Sequence, residues 1–317
     1  MRILVTGGAG FIGRNLVRHL VHSDKHSVVV LDNLSVGQRT HGLPAAVQFF
    51  LGDFRNRDTL ARALHTVEVV VHLAALPGVI DSITDPQPSF EINVIASFQL
   101  LRMARDAGIR RFIFASTGGA LLGNAAPPIS EDIAPSPLSP YGATKLAIEG
   151  YCSAFAGAYN LACTALRFSN IYGPHSSHKK SVIAAFIKSA LRKHPLVVYG
   201  DGTQRRDYLY VGDLVMALQT AIEDDFVGTF QLGSGKPTSL HELIAILNSV
   251  AGEQLAVRFE PPRRGEVHST WCDISKASRE FGFAAPTTLE TGIRQTWEWF
   301  AANQEIRNRE SATYAAD

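Results

Sequence analysis

The apolar residues of the first half of the chain occur in short runs that alternate with helical patterns. Five runs rich in β-branched or aromatic residues cover positions 3–5, 28–31, 69–73, 112–115 and 163–168. Each run is flanked by a stretch that has the apolar spacing of an amphipathic helix. Continuous apolar runs bounded by turn residues are typical of parallel strands that are buried on both faces. The pattern therefore predicts an α/β fold with a doubly wound parallel sheet.

The second half of the chain has a less regular pattern. Glycine and proline interrupt shorter elements there, at Gly173, Pro174, Pro195, Gly200, Gly202, Pro237, Pro261, Pro262 and Gly265. Such punctuation indicates loops and small helices that shape a pocket. We therefore predict a Rossmann-type domain over residues 1–170 and a smaller C-terminal α/β lobe over residues 171–317 that mainly binds substrate. This division allows a segment after residue 170 to return to the first domain.

The charge balance excludes several kinds of partner. Thirty basic residues against 29 acidic ones leave a net charge of +1, so no strong field attracts the protein to nucleic acid or to an anionic membrane. We find neither the layout of a signal peptide nor an apolar run of membrane-spanning length. The three cysteines, Cys152, Cys163 and Cys272, form no CxxC pair, which suits a reducing compartment. We expect a cytoplasmic protein without disulfides.

A glycine-rich turn follows the first predicted strand. Gly7, Gly10 and Gly13 lie in the sequence GGAGFIG, and a helical pattern begins directly after it. A dinucleotide site needs glycine here because the turn requires positive φ, the pyrophosphate approaches bare backbone, and the helix packs closely on the strand. The phosphates then lie at the N-terminus of the helix. Phe11 and Ile12 are included in this predicted site.

A carboxylate follows at the spacing that a dinucleotide site requires. Asp32 ends the second predicted strand, at the offset of about 20 residues from the last glycine at which a carboxylate meets the adenosine ribose. Its neighbour Asn33 is included in the predicted site. The same carboxylate would repel a 2′-phosphate, so we predict NAD rather than NADP as the cofactor.

Tyr141 and Lys145 lie four residues apart at the start of a helical pattern. Their side chains would share one face of the helix. A free phenol has a pKa of about 10, but a neighbouring ammonium and a nicotinamide cation would stabilise its ionised form. Tyr141 is therefore a candidate general base that Lys145 keeps ionised. Ser116 and Thr117 follow the strand run at 112–115 and carry hydroxyls suited to bind the same reacting oxygen.

Two histidines allow a different interpretation of the second half. His175 and His178 lie close together in the sequence HSSH, and histidine is a common metal ligand. A zinc site needs at least three protein ligands, and no third ligand is evident. We therefore expect no metal.

Together these motifs resemble those of the extended short-chain dehydrogenase/reductase superfamily, and within it the NAD-dependent nucleotide-sugar epimerases and dehydratases, above all the UDP-glucose 4-epimerases. The resemblance extends from Gly7 to about Trp299. It implies tightly held NAD and a UDP-sugar that is oxidised transiently at C4 to a 4-keto sugar and then reduced on the other face. The implied enzyme is an isomerase for UDP-glucose and UDP-galactose, with the N-acetylated pair as further substrates.

The resemblance also assigns residues to the cofactor. Asp53 and Phe54 would contact adenine, and Asn93 would lie near the nicotinamide. The cofactor cleft would be lined by Leu73, Ala74 and Ala75.

Further residues are assigned to the nucleotide sugar by the same resemblance. Asn170 and Arg206 would contact the diphosphate, and Arg264 and Glu266 would hold the diphosphate and the uridine ribose. These residue types fit, because a guanidinium binds phosphate oxygens bidentately and a carboxylate accepts from ribose hydroxyls. Thr270 would line the pocket near the C2 substituent, where a small side chain leaves room for an N-acetyl group.

The resemblance further implies a homodimer. The helix around residues 92–104 of each chain would pair with the helix over residues 141–154 in a four-helix interface.

Two departures from the family pattern concern the substrate. Leu122 replaces a tyrosine that many members have, which would make the wall beside the sugar more apolar. Gly118 and Gly119 follow Thr117 where the dehydratases carry an Asp-Glu pair, so the carboxylates that eliminate water are missing. The alternatives are a related dehydratase, a decarboxylase, a uronic-acid 4-epimerase and, from a different class, an NAD-sensing scaffold without activity.

Overall fold

The computed structural model describes residues 1–35, 42–262 and 268–314. In chain order its strands are β1 (Arg2–Thr6), β2 (Ser27–Asp32), β3 (Gln48–Leu51), β4 (Val69–His72), β5 (Arg111–Thr117), β6 (Ala162–Phe168), β7 (Asn170–Tyr172), β8 (Leu196–Tyr199), β9 (Arg205–Tyr210), β10 (Gly228–Leu232), β11 (Pro237–Ser239), β12 (Val257–Glu260) and β13 (Ser269–Thr270).

The α-helices are α1 (Phe11–His22), α2 (Arg57–Ala63), α3 (Val79–Thr84), α4 (Pro86–Phe90), α5 (Ser97–Asp106), α6 (Gly119–Leu122), α7 (Pro140–Tyr159), α8 (Val182–Leu191), α9 (Val211–Glu223), α10 (Leu240–Ala251), α11 (Ser275–Phe281) and α12 (Leu289–Tyr314). A π-helical segment, Glu91–Ala96, lies between α4 and α5.

Seven parallel strands form the main sheet, in the order β10-β6-β5-β4-β1-β2-β3. From β3 to β6 this is the strand order of a doubly wound dinucleotide-binding fold. All five apolar runs that were predicted to be strands lie in this sheet, although β4 ends at His72, one residue earlier than predicted. The predicted Rossmann-type α/β fold is therefore confirmed.

Alternate residues of the central strands pack on opposite faces of this sheet. In β1, Ile3 and Val5 belong to the core that includes Leu16 of α1 and Leu214 of α9. Leu4 belongs instead to the core beneath α2, α5 and α7. Both faces are covered by helices, which is why the central strands are continuously apolar.

The chain returns to the main sheet after the second lobe has begun. Helix α9 packs against α1, and β10 pairs in parallel with β6, from Gly228 opposite Thr164 to Leu232 opposite Phe168. The main sheet therefore takes its seventh strand from residues well beyond position 170.

The second lobe is built around β9. This strand pairs in parallel with β7 and β13 and antiparallel with β11, and β8 pairs with β12 beside them. Helices α8, α10 and α12 supply a separate apolar core, in which Phe186, Leu243 and Ile293 are buried.

The carboxyl ends of β1, β4 and β5 lie at one edge of the main sheet. In a parallel sheet the crevice at this edge is where ligands bind, at the point where the strand order reverses. In this sheet the reversal lies between β1 and β4, so Gly7, Leu73 and Thr117 all follow or end strands beside the crevice. No helix in the described part of the chain is long and apolar enough to cross a membrane.

Candidate active site

The turn after β1 requires glycine at two of the three predicted positions. Gly7 has a φ of +71°, and a Cβ on it would lie 2.8 Å from the amide nitrogen of Ala74. A Cβ on Gly13 would lie 2.3 Å from the carbonyl oxygen of Gly7, so α1 can approach the turn this closely only with glycine. Gly10 differs, because its φ is −73° and a Cβ would lie 3.2 Å from the same oxygen. The protein's own packing therefore constrains Gly10 less than the other two.

The first turn of α1 forms a cradle for an anion. Gly10 is the N-cap residue and has no side chain with which to cap the helix. The first N–H groups of a helix lack partners within it, and they carry the positive end of the helix dipole. Phe11 and Ile12 supply two of these N–H groups. The cradle fits the diphosphate of a dinucleotide.

Asp32 is tied to the glycine-rich turn by its own carboxylate. One oxygen, Oδ2, accepts a hydrogen bond from the amide of Ala9 at 3.0 Å, and Oδ1 accepts one from the amide of Leu34 at 2.8 Å. The side chain is half-buried at the end of β2. Asp32 therefore lies beside the predicted phosphate cradle, where its position is consistent with the ribose contact predicted for it.

Asp53 and Phe54 differ in exposure, although both were predicted to contact adenine. The carboxylate of Asp53 accepts hydrogen bonds from Asn33 Nδ2 at 3.1 Å and from Arg55 Nε at 3.0 Å. The hydrogen bonds from Arg55 lower the pKa of Asp53. Phe54 is buried, with its ring 5.3 Å from the ring of His72. Asn33 and Asp53 thus form one polar group next to Asp32.

Leu73, Ala74 and Ala75 continue β4 as a half-buried segment over the crevice. The amide of Ala74 donates to Thr6 Oγ1 at 3.3 Å, which joins this segment to the end of β1. His72, directly before it, is buried between Thr6 Oγ1 at 2.7 Å and Ser97 Oγ at 2.8 Å. Burial, assisted by the charge of Lys145, lowers the pKa of His72 to about 3, so this histidine is neutral at physiological pH.

Asn93 connects the crevice to the helix that carries Tyr141. It lies on the π-helical segment, and its buried amide accepts from the amide of Leu76 at 2.8 Å and donates to the carbonyl of Leu76 at 3.1 Å. The same Nδ2 lies 3.3 Å from Thr144 Oγ1 on α7. Isolated π-helical turns are common at functional sites. Asn93 therefore fixes the segment after Ala75 relative to α7.

Tyr141 and Lys145 lie on α7, as predicted. The helix begins at Pro140, and the hydroxyl of the N-cap residue Ser139 accepts from the amide of Gly142 at 3.1 Å. The amide of Tyr141 donates to Ser82 Oγ at 3.1 Å. This arrangement places Tyr141 in the first turn, with its backbone held by a second helix, α3.

Lys145 is buried one turn after Tyr141 on α7. Its Nζ donates to the carbonyl oxygen of Ala115 at 2.8 Å, and it lies 4.8 Å from the ring centre of Phe114 and 5.9 Å from that of Tyr141. Burial lowers the pKa of Lys145 to about 8, although the carboxylate of Glu149 opposes this shift. Lys145 is therefore mainly charged at pH 7.

Burial opposes the predicted ionisation of Tyr141. It raises the pKa of Tyr141 to about 12. The ammonium of Lys145 donates to the Ala115 carbonyl. The predicted ionisation of Tyr141, by Lys145 together with the nicotinamide cation, stays a prediction.

Ser116 and Thr117 have different surroundings at the end of β5. Ser116 is buried, and its hydroxyl donates to Glu149 of α7, which also accepts from Arg167 at 2.8 Å in a buried ion pair. Thr117 is half-buried, and among the described residues its hydroxyl has no hydrogen-bond partner. Neighbouring residues of a strand point to opposite faces. The hydroxyl of Thr117 is thus the one available to a ligand, whereas that of Ser116 is bound within the protein.

A cavity of about 270 Å³ opens in the second lobe between β7, β8, β9 and α8. Asn170 and Arg206, the two residues predicted to contact the diphosphate, both line it. Asn170 Nδ2 donates to the carbonyl of Asp207 at 3.1 Å, and Arg206 donates to the carbonyl of His268 at 2.9 Å. Arg264 and Glu266 lie outside the described residues.

The lining of this cavity includes polar and aromatic residues that the sequence analysis missed. Among them are Lys180, Tyr199 and Gln204. Tyr199 ends β8 directly before a turn that contains Gly200 and Gly202 at positive φ. That strand-to-turn boundary is the signal that could have revealed Tyr199. Nothing in the sequence singles out the other two.

Thr270 lies beside the turn that follows Thr117. A Cβ on Gly119 would be 3.8 Å from Thr270 Oγ1. Leu122, in contrast, is buried with Leu121, Ile129 and Cys272. The interpretation of Leu122 as an apolar wall beside the sugar is therefore wrong, because its side chain is 2% exposed and packs into the protein.

His175 and His178 do not belong to a metal site in the described part of the chain. Among these residues no group of three or more His, Cys, Asp or Glu side chains is placed to hold an ion. The ring of His175 packs instead on Trp299, with 4.8 Å between ring centres.

The glycine cradle, the Tyr141–Lys145 pair and the cavity can be compared with known proteins. A family model described as the NAD dependent epimerase/dehydratase family matches residues 3–233. The chain belongs to this family. It is therefore an enzyme that uses NAD, as predicted, and the epimerases among its relatives are isomerases.

Members of the NAD-dependent epimerase/dehydratase family resemble this chain over almost their whole length. A UDP-glucose 4-epimerase of Mycolicibacterium smegmatis is 36% identical over 95% of this chain and 98% of its own. The UDP-glucose 4-epimerase of Thermotoga maritima, solved with UDP-glucose, is 36% identical and covers 96% of this chain and 100% of its own with a TM-score of 0.91.

A UDP-N-acetylglucosamine 4-epimerase of Methanobrevibacter ruminantium, solved with UDP-N-acetylmuramic acid, is 31% identical, covers 95% of this chain and 98% of its own, and has a TM-score of 0.90. Other relatives are named UDP-glucuronate 4-epimerase and dTDP-glucose 4,6-dehydratase. The comparisons thus identify the family and the cofactor, and they include several substrates.

Proposed function

We propose that this chain is a UDP-sugar 4-epimerase that interconverts UDP-glucose and UDP-galactose and also accepts the N-acetylated pair. The observation that carries the proposal is the position of Tyr141 and Lys145 on one turn of α7, beside the strand end that bears Thr117. In this proposal the cofactor and the oxidised carbon of the sugar lie at the carboxyl edge of the main sheet. The nucleotide of the substrate lies in the cavity of the second lobe. Residues 1–170 in this account mainly bind the cofactor, and the second half mainly binds the substrate.

The cofactor site is formed by residues that surround the end of β1. The cradle of Gly7, Gly10, Phe11, Ile12 and Gly13 would hold the diphosphate, and Asp32 the adenosine ribose. When bound, NAD supplies reversible acceptance of hydride and a positive charge on its oxidised ring. Asp53 and Asn33 would lie towards adenine. The segment Leu73, Ala74 and Ala75 and the amide of Asn93 would line the remainder of the cleft.

The protein groups move one proton at the sugar O4. Tyr141 removes this proton as C4 is oxidised to the ketone, and it returns the proton when the opposite face of C4 is reduced. A phenol with a pKa of about 12 is a poor base at neutral pH, so the ammonium of Lys145 and the cofactor charge must together lower that pKa. Thr117 would hydrogen-bond O4. Ser116, bound to Glu149, would act as a positioning residue.

The cavity of the second lobe fits the nucleotide diphosphate. Arg206 and Asn170 would donate to phosphate oxygens, because a guanidinium and an amide both offer N–H donors. The ring of Tyr199 would stack on the base of the nucleotide, since every base offers a flat face to an aromatic ring. Arg264 and Glu266 remain predicted contacts of the diphosphate and the ribose. Thr270, close to Gly119, would be adjacent to the C2 substituent.

The dehydratase alternative is less well supported. A dehydratase of this family would need an acid and a base directly after Thr117, where this chain has Gly118 and Gly119. A Cβ on Gly118 would lie 2.6 Å from Gln231 Oε1, so the backbone here has no room for a carboxylate side chain without displacing that amide.

The homodimer is proposed on the exposed apolar residues of neighbouring helices. Ile80, Phe90, Ile95 and Tyr151 are between 41% and 67% exposed, and they lie on α3, α4, the π-helical segment and α7, which pack against one another. A second copy of the chain would cover them.

The substrate class and the three free thiols favour a cytoplasmic location.

Product analysis tests the proposed function. Purified protein with NAD is incubated separately with UDP-glucose, UDP-N-acetylglucosamine, UDP-glucuronate and dTDP-glucose, and products are identified by proton NMR. We expect C4 epimers of the first two sugars and no loss of the C6 hydroxyl. A 4-keto-6-deoxy sugar would identify a dehydratase, a pentose a decarboxylase, and no product from any sugar would contradict an enzymatic role.

A further inference from the structure

Lys179 is a half-buried lysine outside the residues assigned so far, and its ammonium is the part that burial affects. It lies in the loop between β7 and α8, and its Nζ is 5.0 Å from the ring centre of Phe11 and 3.5 Å from the carbonyl oxygen of Ile171. The loop is anchored at both sides. Asn15 Nδ2 donates to the carbonyl of Pro174 at 3.0 Å, and Lys188 Nζ donates to the carbonyl of Lys179 at 2.9 Å. The ammonium is therefore held in place rather than extended into solvent.

Lys179 has no carboxylate partner among the described residues. No ion pair joins it to an Asp or Glu there, and burial lowers its pKa to about 8 with no acidic group to oppose the shift. The charged groups that act on the neighbouring histidines His175 and His178, in the described part of the chain, are cations. Arg14 and Lys179 both help to lower the pKa of His178, and Arg14 and Arg18 help to lower that of His175. A buried cation without a counter-charge is costly, which indicates that an anion neutralises it in the working enzyme.

The location of Lys179 identifies the class of anion. Phe11 is the first residue of α1, whose N-terminal turn forms the phosphate cradle. On the other side, Ile171 follows Asn170, and the next residue along the loop, Lys180, lines the cavity that contains Arg206. Lys179 thus lies between the two places where a diphosphate would bind.

We propose that Lys179 is a diphosphate-binding residue of this enzyme. Its ammonium pairs with a diphosphate oxygen and so compensates the charge that the fold leaves buried. The proposal rests on the proposed function, which supplies two diphosphates, that of NAD and that of the UDP-sugar. Both offer the same chemistry to a lysine, and the experiment below distinguishes them.

The test compares K179M with K179R and with a surface control, K193M, since Lys193 is largely exposed. Protein freed of bound nucleotide is titrated calorimetrically with NAD, adenosine, UDP and uridine. A charge-assisted hydrogen bond predicts a loss of about tenfold or more in affinity for NAD or for UDP in K179M. The affinities for adenosine and uridine should be unchanged, and K179R should retain most of the affinity. Loss confined to NAD assigns Lys179 to the cofactor, and loss confined to UDP assigns it to the substrate.

Thermal unfolding of the unliganded variants separates this role from a structural one. Removal of an uncompensated buried charge should raise the Tm of K179M, because methionine fills the site without a desolvation cost. Unchanged affinities for both NAD and UDP would overturn the proposal. So would a lower Tm with equal losses for the diphosphates and their nucleosides. Wild-type protein that binds neither NAD nor UDP would contradict the proposed function itself.

Discussion

The ammonium of Lys145 lies 5.9 Å from the centre of the Tyr141 ring, one turn further along the same helix, while its hydrogen bond is made to the carbonyl of Ala115. Burial acts on both groups in opposite directions, raising the pKa of Tyr141 to about 12 and lowering that of Lys145 to about 8. The base therefore depends on added positive charge for its activation.

Lys145→Met should lower kcat/KM by about 10²- to 10⁴-fold near neutral pH. The loss of the ammonium raises the pKa of Tyr141 further, so the limb of the pH profile that requires ionised Tyr141 should move to higher pH. In the wild type, Lys145 loses its proton near pH 8 and then no longer lowers the pKa of Tyr141. Lys145→Arg is the control that keeps the charge. Identical pH profiles for the wild type and Lys145→Met would remove Lys145 from this role.

Asp32 should determine both cofactor preference and local stability. Asp32→Ala leaves the amides of Ala9 and Leu34 without their acceptor, at a cost of about 1–3 kcal/mol in the free energy of unfolding, and it weakens NAD binding. Asp32→Asn keeps an acceptor oxygen but removes the charge that repels a 2′-phosphate. It should narrow the preference for NAD over NADP with a smaller loss of stability. Equal NAD and NADP affinities in wild-type protein would contradict this account.

Thr270→Tyr should discriminate between the two sugar classes. Because Thr270 lies beside the turn after Thr117, a larger ring would occupy the space proposed for the N-acetyl group. We expect kcat/KM for UDP-N-acetylglucosamine to fall by about tenfold or more relative to that for UDP-glucose. Thr270→Val, a side chain of nearly the same size and shape, serves as the control. Equal losses for both sugars, or a wild type that rejects the N-acetyl sugar, would show that Thr270 does not set sugar size.

Light scattering should give a mass of twice the 34.4 kDa chain at micromolar concentration. Ile95→Lys places a charge within the proposed interface and should shift the mass towards that of the monomer. Met216→Lys, at another exposed apolar position, is the matched control and should leave the dimer intact. Wild-type protein that remains at the monomer mass would rule out the four-helix interface.

The features that could be predicted from the sequence depend on nearby residues or on the family resemblance. The strands around Val29 and Val70 follow from local apolar runs, and Gly7 and Gly13 from the needs of one turn. The side-chain partner of Ser116 could not be predicted, because Glu149 is 33 residues away and is brought close only by the packing of α7 on β5.

Two further outcomes depend on tertiary packing. Leu122 is buried because Ile129 and Cys272 are folded over it, and Cys272 arrives from the far end of the chain. The pKa of Tyr141 depends on how completely the first turn of α7 is covered, which the spacing of Tyr141 and Lys145 does not reveal.

Transfer of deuterium from C4 tests the central claim most directly. UDP-glucose labelled with deuterium at C4 is incubated with the enzyme and NAD, and the product is analysed by NMR and mass spectrometry. Transient oxidation at C4 predicts UDP-galactose that retains the label at C4, and Tyr141→Phe should slow its formation by about 10²- to 10⁴-fold while binding NAD normally. Label found at C6, or lost to water or to free NADH, would contradict a 4-epimerase mechanism.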